Sequence, residues 1–280
     1  MTVDYRYAGP DGEGIGALPP GAGAAIGSEY CVHLLPGAPE MARACAAAVA
    51  RGIPLLLLTP WFRDVELKKA LPLFRAVPVG ADAAVAVNDW GVLLALRVLI
   101  PRLRLTIGRL LSGQKRCPRV EASHRLSVAD KTWHRQGLFS STRARGYLAE
   151  EFGVSGFHID ALPGTDMPGS GGARDVSGPG RAAEPADAPD AEAPPTLFLH
   201  TPYAIVTVSD ACPWLGGRSS SSVARCPRPC RDGAVVLREP SMRRELIQRG
   251  KARFVRTGAS PAGGGLCDPR LRRVLYDDVP

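Results

Sequence analysis

The stretch Asp210–Gly233 reads DACPWLGGRSSSSVARCPRPCRDG and sets three cysteines, Cys212, Cys226 and Cys230, in a C-x13-C-x3-C arrangement. The segment is rich in Pro, Gly and Ser, so its thiols follow no helix or strand period that would make them core fillers. A four-residue step lets two sulfurs converge on one centre while the longer arm wraps around it. Thiolates placed in this way hold iron-sulfur clusters, tetrahedral thiolate sites suit zinc as well, and unligated thiols are the third reading. A fourth ligand is needed. Cys31, in a short apolar run beside His33, and Cys267, in GGGLCDPR, compete for that place, with Cys117 beside Pro118 behind them. The Gly-rich setting of Cys267 favours Cys31. Cys45 falls on an Ala-rich helix face and reads as core.

Other side chains suggest binding more than catalysis. Asn88 and Asp89 follow an apolar run and open a helix, so they read either as ligand contacts or as a cap for free backbone donors. Arg109 and Lys115, with Gln114 and Arg116, follow another apolar run and are suited to a carboxylate-bearing small molecule through charge-assisted hydrogen bonds. His158 and Asp160 alternate along one strand and so share a face, the arrangement of an oriented acid or base. The five histidines show no HExxH spacing, and the chain has no G-x-S-x-G elbow, P-loop or complete G-x-G-x-x-G turn.

These groups need a scaffold, and 280 residues at 45% hydrophobic content are enough for one core. From Glu29 onward, apolar runs alternate with helical patterns. Tyr30–Leu35, Ile53–Leu58, Ala83–Val87, Leu103–Ile107 and Gly153–Ile159 read as strands. Pro39–Arg51, Val65–Val77, Trp90–Leu99 and Arg143–Phe152 read as helices. Strands apolar throughout and separated by helices imply a parallel sheet covered on both faces. The expectation is an α/β chain with a parallel β/α barrel-like fold, complete or cut short, and a C-terminal cysteine-rich metal-binding segment. Its expected parts are a Gly/Pro-rich N-terminal segment (1–28), the barrel-like core (29–162), a flexible low-complexity insert (163–195) and a region completing the core with the cysteine loop (196–280). Thr196–Val208 is read as one strong strand.

The seven cysteines, an odd number, together with a polar start that lacks an apolar signal region, point to a reducing, cytoplasmic setting. Arginines interrupt the most apolar stretch, Gly91–Leu111, so it is not a membrane span. The net charge of +8 carries Arg clusters at 225–231, 243–256 and 270–273. A solvated basic face is the plainer reading of these, with nucleic acid the lesser one.

Three stretches resemble the peptidase U-32 (collagenase-like) family, whose members include the UbiU/UbiV-type oxygen-independent hydroxylation proteins and RNA-hydroxylating relatives. They are YCVHLLPG with its Ala-rich helix, VNDWGVLLAL with IGRLLSGQKRCPR, and the Cys212, Cys226, Cys230 loop. The resemblance implies a barrel-like fold, a 4Fe-4S cluster and oxygen-independent hydroxylation, with prephenate as oxygen donor in some members. It also implies a complex with a second family member and a small aromatic metabolite or natural product as substrate. A UbiV-like order takes the fourth ligand from the early strand, Cys31, and a UbiU-like order takes it downstream, Cys267. The rival reading is a non-catalytic, metal-stabilised partner or scaffold subunit, and a further one is an RNA-modifying hydroxylase.

Overall fold

The computed structural model describes residues 3–80, 83–162, 195–219, 222–223, 225–231, 233–240, 242, 244–257 and 270–277. In chain order the strands are β1 (Tyr5–Tyr7), β2 (Gly23–Gly27), β3 (Leu55–Leu58), β4 (Ala83–Val87), β5 (Leu105–Ile107), β6 (Val154–Asp160) and β7 (Thr196–Thr201). These are followed by β8 (Tyr203–Val208), β9 (Ala211–Cys212), β10 (Arg218–Ser219), β11 (Val235–Leu237), β12 (Leu246–Arg249), β13 (Ala252–Arg256) and β14 (Leu271–Leu275). Eight of them close into a parallel barrel in the order β1-β14-β7-β6-β5-β4-β3-β2. The barrel is therefore complete.

Helices α1 (Ala38–Ala50), α2 (Asp64–Arg75), α3 (Trp90–Leu99) and α6 (Thr142–Phe152) link successive parallel strands, as such pairing requires. The short α4 (Pro118–Ala122) and α5 (Val128–Arg135) precede α6. The helices fall where the 3.6-residue period places them: Met41, Ala44, Cys45 and Ala48 form the buried face of α1. Cys45 belongs to this shell, packed with outward residues such as Leu55 and Leu57 of β3. Leu56 and Leu58 alternate to the other face, where they meet Tyr5, Ala25, Ala84, Phe198 and Val274 in the lumen. Burial on both faces is why β3 is leucine throughout. Each such side chain contributes about 1.5–3 kcal/mol relative to exposure.

Three expectations are corrected. The 1–28 segment is not outside the core, because it supplies β1 and β2, two of the eight staves. Tyr30–Leu35 is not a strand; Ser28 Oγ accepts the backbone N–H groups of Tyr30 and Cys31, and Val32–Leu34 is a 3-10 turn. Thr196–Val208 is two strands divided at Pro202, which has no N–H to donate to a ladder. β7 stays in the barrel, whereas β8 leaves it for an antiparallel sheet of order β11-β12-β13-β8. That sheet packs on the barrel's carboxyl end, with Phe254 edge-on to Tyr30 at 5.7 Å between ring centroids. The insert 163–195, apart from Pro195, lies outside the described residues.

Candidate metal and polar centre at the barrel mouth

The carboxyl ends of the strands carry the polar side chains, the face where barrels of this type place their sites. Glu29 follows β2, Thr59 follows β3, Asn88 follows β4, Arg109 follows β5, Asp160 ends β6 and Tyr276 follows β14. Arg109 is 0% exposed and all five of its N–H donors are used. Nε donates to Glu29 at 2.7 Å. One terminal nitrogen donates to Asp160 (2.8 Å) and to the carbonyl of Tyr203 (2.9 Å), and the other to Glu29 and to the Tyr276 hydroxyl (3.2 Å). Burial alone would weaken the arginine's hold on its proton, but Glu29, Tyr276 and Asp160 raise its pKa above the ordinary value. Arg116 closes the other side of Asp160 and donates to Ser112 Oγ at 2.6 Å.

A second chain of hydrogen bonds runs down the lumen from Tyr276. Its hydroxyl is 2.8 Å from His200 Nδ1, His200 Nε2 is 2.8 Å from His158 Nδ1, and His158 Nε2 is 2.9 Å from Thr106 Oγ1. One proton assignment satisfies every member. Arg109 donates to Tyr276, Tyr276 to His200, His200 to His158, His158 to Thr106, and Thr106 to the Val85 carbonyl at 3.2 Å. Burial, then the positive Arg109, pushes both histidine pKa values well down, so the rings are held neutral as this chain requires. His158 also lies flat on Phe198, 4.3 Å between centroids.

The structure separates the expected binding residues. Arg109 sits in the lumen network with no donor left over. Asn88 is buried beside it: its amide donates to the Thr59 carbonyl (2.7 Å) and Glu29 (3.3 Å), and its oxygen accepts the N–H of Leu110 (2.7 Å). Asp89 caps α3, accepting from the backbone of Gly91 (2.7 Å) and Val92 (3.1 Å). Lys115 is exposed and lines a small cleft with Arg116, Arg135 and Arg244. Sequence reasoning missed Glu29, His200 and Tyr276 as network members; their position directly at strand ends was the available signal.

The cysteines behave differently. Cys31 follows Glu29 on the β2 loop, whereas Cys212, Cys226 and Cys230 belong to the segment after β8. Even so, these four thiols lie within electrostatic reach of one another. Burial pushes the Cys230 thiol up to about 12, and Cys31, Cys212 and Cys226 add to the shift. Cys31 is raised by burial in the same way, with Cys226 and Cys212 adding to it. The loop is anchored around them. Arg63, preceding α2, pairs with Asp210 at 2.6 Å, Arg231 pairs with Asp11 at 3.0 Å, and Arg249 donates to the Cys230 carbonyl at 2.9 Å. Cys117 lies in the cleft with Lys115, and Cys267 is outside the described residues.

A single tetrahedral zinc ion would need sulfurs about 3.8 Å apart, from bonds of about 2.3 Å. Among the described residues no group of three or more His, Cys, Asp or Glu side chains is arranged to hold one metal ion. The donor set fits a polynuclear cluster in kind, being four cysteines. Trp214 adds a second sign of fit. Two residues past Cys212, it packs on the apolar group that contains Cys31 and Cys230, and its buried indole N–H has no partner among the described residues. A buried donor without an acceptor is costly, and a cluster sulfur would supply one.

No family model matches the sequence, and no curated protein matches it. Among solved structures, the U32 peptidase Mk0906 aligns over all of this chain and 94% of its own, at 11% identity and a TM-score of 0.46. A likeness this low assigns neither family nor activity to this chain, and it adds nothing to the narrower resemblance to UbiU and UbiV. No helix among the described residues is long and apolar enough to cross a membrane.

Proposed function

We propose that the chain is a barrel protein that holds a 4Fe-4S cluster on Cys31, Cys212, Cys226 and Cys230. One observation supports the reading: Cys31, on the loop after β2, and Cys212, Cys226 and Cys230, at least 181 residues further along the chain, come within electrostatic reach of one another, with Cys31, Cys212 and Cys230 buried. When bound, such a cluster supplies one-electron chemistry. The chain's own residues hold its thiolates in place, exclude water with Tyr30, Phe254 and Trp214, and brace the Cys31 loop through Glu29 and Arg109.

The finer reading is an oxygen-independent hydroxylase, or a hydroxylase subunit, acting on a small aromatic metabolite, with prephenate as the donor that the family resemblance suggests. A second reading has its own support. Arg109, Glu29, Asp160 and the two lumen histidines are all bonded within the chain, so the network presents no spare acid or base. A cluster there would tie the antiparallel sheet to the barrel in a non-catalytic partner subunit.

Anaerobic reconstitution followed by iron, sulfide and visible-absorption measurements tests the cluster. Cys31→Ser, Cys212→Ser, Cys226→Ser and Cys230→Ser should each lose iron and sulfide together. Full iron content in all four variants would sink the assignment. Hydroxylation of an aromatic acceptor by the reconstituted protein, alone or with a second family member, separates the catalytic reading from the scaffold reading.

A further inference from the structure

Helices α3 and α6 run side by side on the outer wall of the barrel. Each links two parallel strands, so both point the same way, and the Arg97 guanidinium of α3 reaches the C-cap of α6, where a Cβ on Gly153 would stand 3.3 Å from its Nη1. Between the helices lies an open groove of about 350 Å³, walled by Trp90, Leu94, Tyr147, Leu148 and Phe152. Tyr147 meets Phe152 edge-on at 5.8 Å between ring centroids, so that wall is already formed. The face of α3 that covers the barrel is Val92, Leu93 and Leu96. A second row, Trp90, Leu94 and Val98, recurs every four residues and is 46%, 54% and 75% exposed. A helix needs only one apolar face to cover a barrel. Contiguous apolar surface left open beside a groove marks an interaction site.

The neighbouring row on α6 points to the occupant. Arg143, Tyr147 and Glu151 also recur every four residues, and all three are exposed. Four residues of helix rise about 6 Å, so each row is about 12 Å long, with Leu94 in the middle of one and Tyr147 in the middle of the other. The apolar row is alike from either end. The charged row is positive at its start and negative at its end. A two-fold axis crossing both helices at these middle residues would set α3 on α3 and α6 on α6 in opposite directions. Val98 of one copy then lies over Trp90 of the other, beside the groove, and Leu94 meets Leu94. Arg143 of each copy falls opposite Glu151 of the other, at both ends of the contact. A two-fold interface requires this kind of self-complementary surface.

We propose that the α3–α6 face is a homodimer interface, occupied by a second copy of this chain in that antiparallel arrangement. The apolar rows supply the burial, and the charged rows fix the direction. With α6 on α6 in parallel, Arg143 would face Arg143 and Glu151 would face Glu151, and like charges so placed reject the wrong pairing. The proposal does not depend on the cluster.

Sedimentation velocity of the full chain over a concentration series tests it. The wild-type protein should pass to twice the mass of one chain as concentration rises. Leu94→Glu changes an exposed side chain, so it should keep its far-ultraviolet circular dichroism and weaken association by at least about tenfold. Arg143→Glu and Glu151→Arg each set like charges against one another at both ends, and each alone should weaken association by about threefold to tenfold. An equimolar mixture of those two variants sets glutamate against arginine at both ends again, and it should associate as tightly as wild type. A wild-type protein that stays at the mass of one chain throughout the series would overturn the proposal. Undiminished association of folded Leu94→Glu would do the same, because it would put the dimer on another face. Charge variants that associate like wild type, or a mixture no tighter than either variant alone, would overturn the antiparallel two-fold.

Discussion

Arg109 is the side chain on which most of the barrel mouth depends, because it neutralises Glu29 and Asp160 where water cannot. Arg109→Met would leave Glu29 buried without its arginine and Asp160 with Arg116 alone. Breaking one side of such a buried pair costs about 3–5 kcal/mol, and urea unfolding should show a loss of that size; a loss below about 1 kcal/mol would mean that the carboxylates find other partners. The lumen histidines make a second expectation, whose sign follows from their lowered pKa values. Folded, both stay neutral; unfolded, each takes up a proton near its ordinary value of about 6.5. The unfolded state therefore binds more protons below that pH. Stability should be full above about pH 6.5 and fall on acidification by up to about 1.4 kcal/mol per histidine per pH unit. Their ring resonances should show no protonation in NMR spectra between pH 7 and pH 5, and a titration there would contradict the neutral hydrogen-bond chain. Little of this network was legible in the sequence. Arg109 looks like a surface arginine after an apolar run, and its partners come from β2, β6, β8 and β14. The cysteine loop stands out in the sequence because its spacing and composition are local.

At the scale of elements, the sequence reads well where a segment is long and periodic and poorly where crowding demands small residues. α3 and β4 fall at their expected boundaries. β2 reads GAAIG and resembles a linker, yet it is buried throughout. A Cβ at Gly23 would stand 2.8 Å from the Tyr5 ring, so the small residues that hide this strand are the ones its packing requires. Gly27 ends β2 with φ +92, and a Cβ there would meet the Leu58 carbonyl oxygen at 2.3 Å. Gly27→Ala thus meets both a forbidden conformation and a backbone clash. It should destabilise by more than about 1 kcal/mol in thermal or urea unfolding. Since Gly27 leads into Glu29 and Cys31, the variant should also hold less iron after reconstitution. Asp89→Ala provides the contrast. Loss of an N-cap costs about 1 kcal/mol, so this variant should be modestly destabilised with unchanged iron uptake, and any larger effect on cluster or substrate binding would restore Asp89 as a ligand contact.

At the scale of the whole molecule, the barrel depends on its shortest staves. β1 spans only Tyr5–Tyr7, but it pairs with β2 on one side and β14 on the other, and so closes the circle. Tyr5 packs on Phe198 at 5.8 Å and Tyr7 on Tyr276 at 5.3 Å, so this stave also fills the lumen beside the histidine chain. Ion pairs flank it: Arg273 with Asp4, and Arg6 with Asp277 at 3.0 Å. The cysteine segment lies between β7 and β14, so an opened barrel would also loosen the two ends that frame it. Without β1, both β2 and β14 would become open edges with unpaired N–H and C=O groups, a template for pairing with other chains. A protein lacking residues 1–8 should therefore aggregate or lose its single cooperative unfolding transition. Tyr5→Ala, which keeps the stave but empties its lumen volume, should remain soluble and lose about 3–5 kcal/mol, the range for truncating a buried aromatic ring. A truncated protein that stayed soluble and unaggregated with an unchanged Tm would show that the barrel does not need β1 to close. Both proteins can be compared by size-exclusion chromatography and thermal unfolding before any cofactor is added, which keeps the result independent of the cluster.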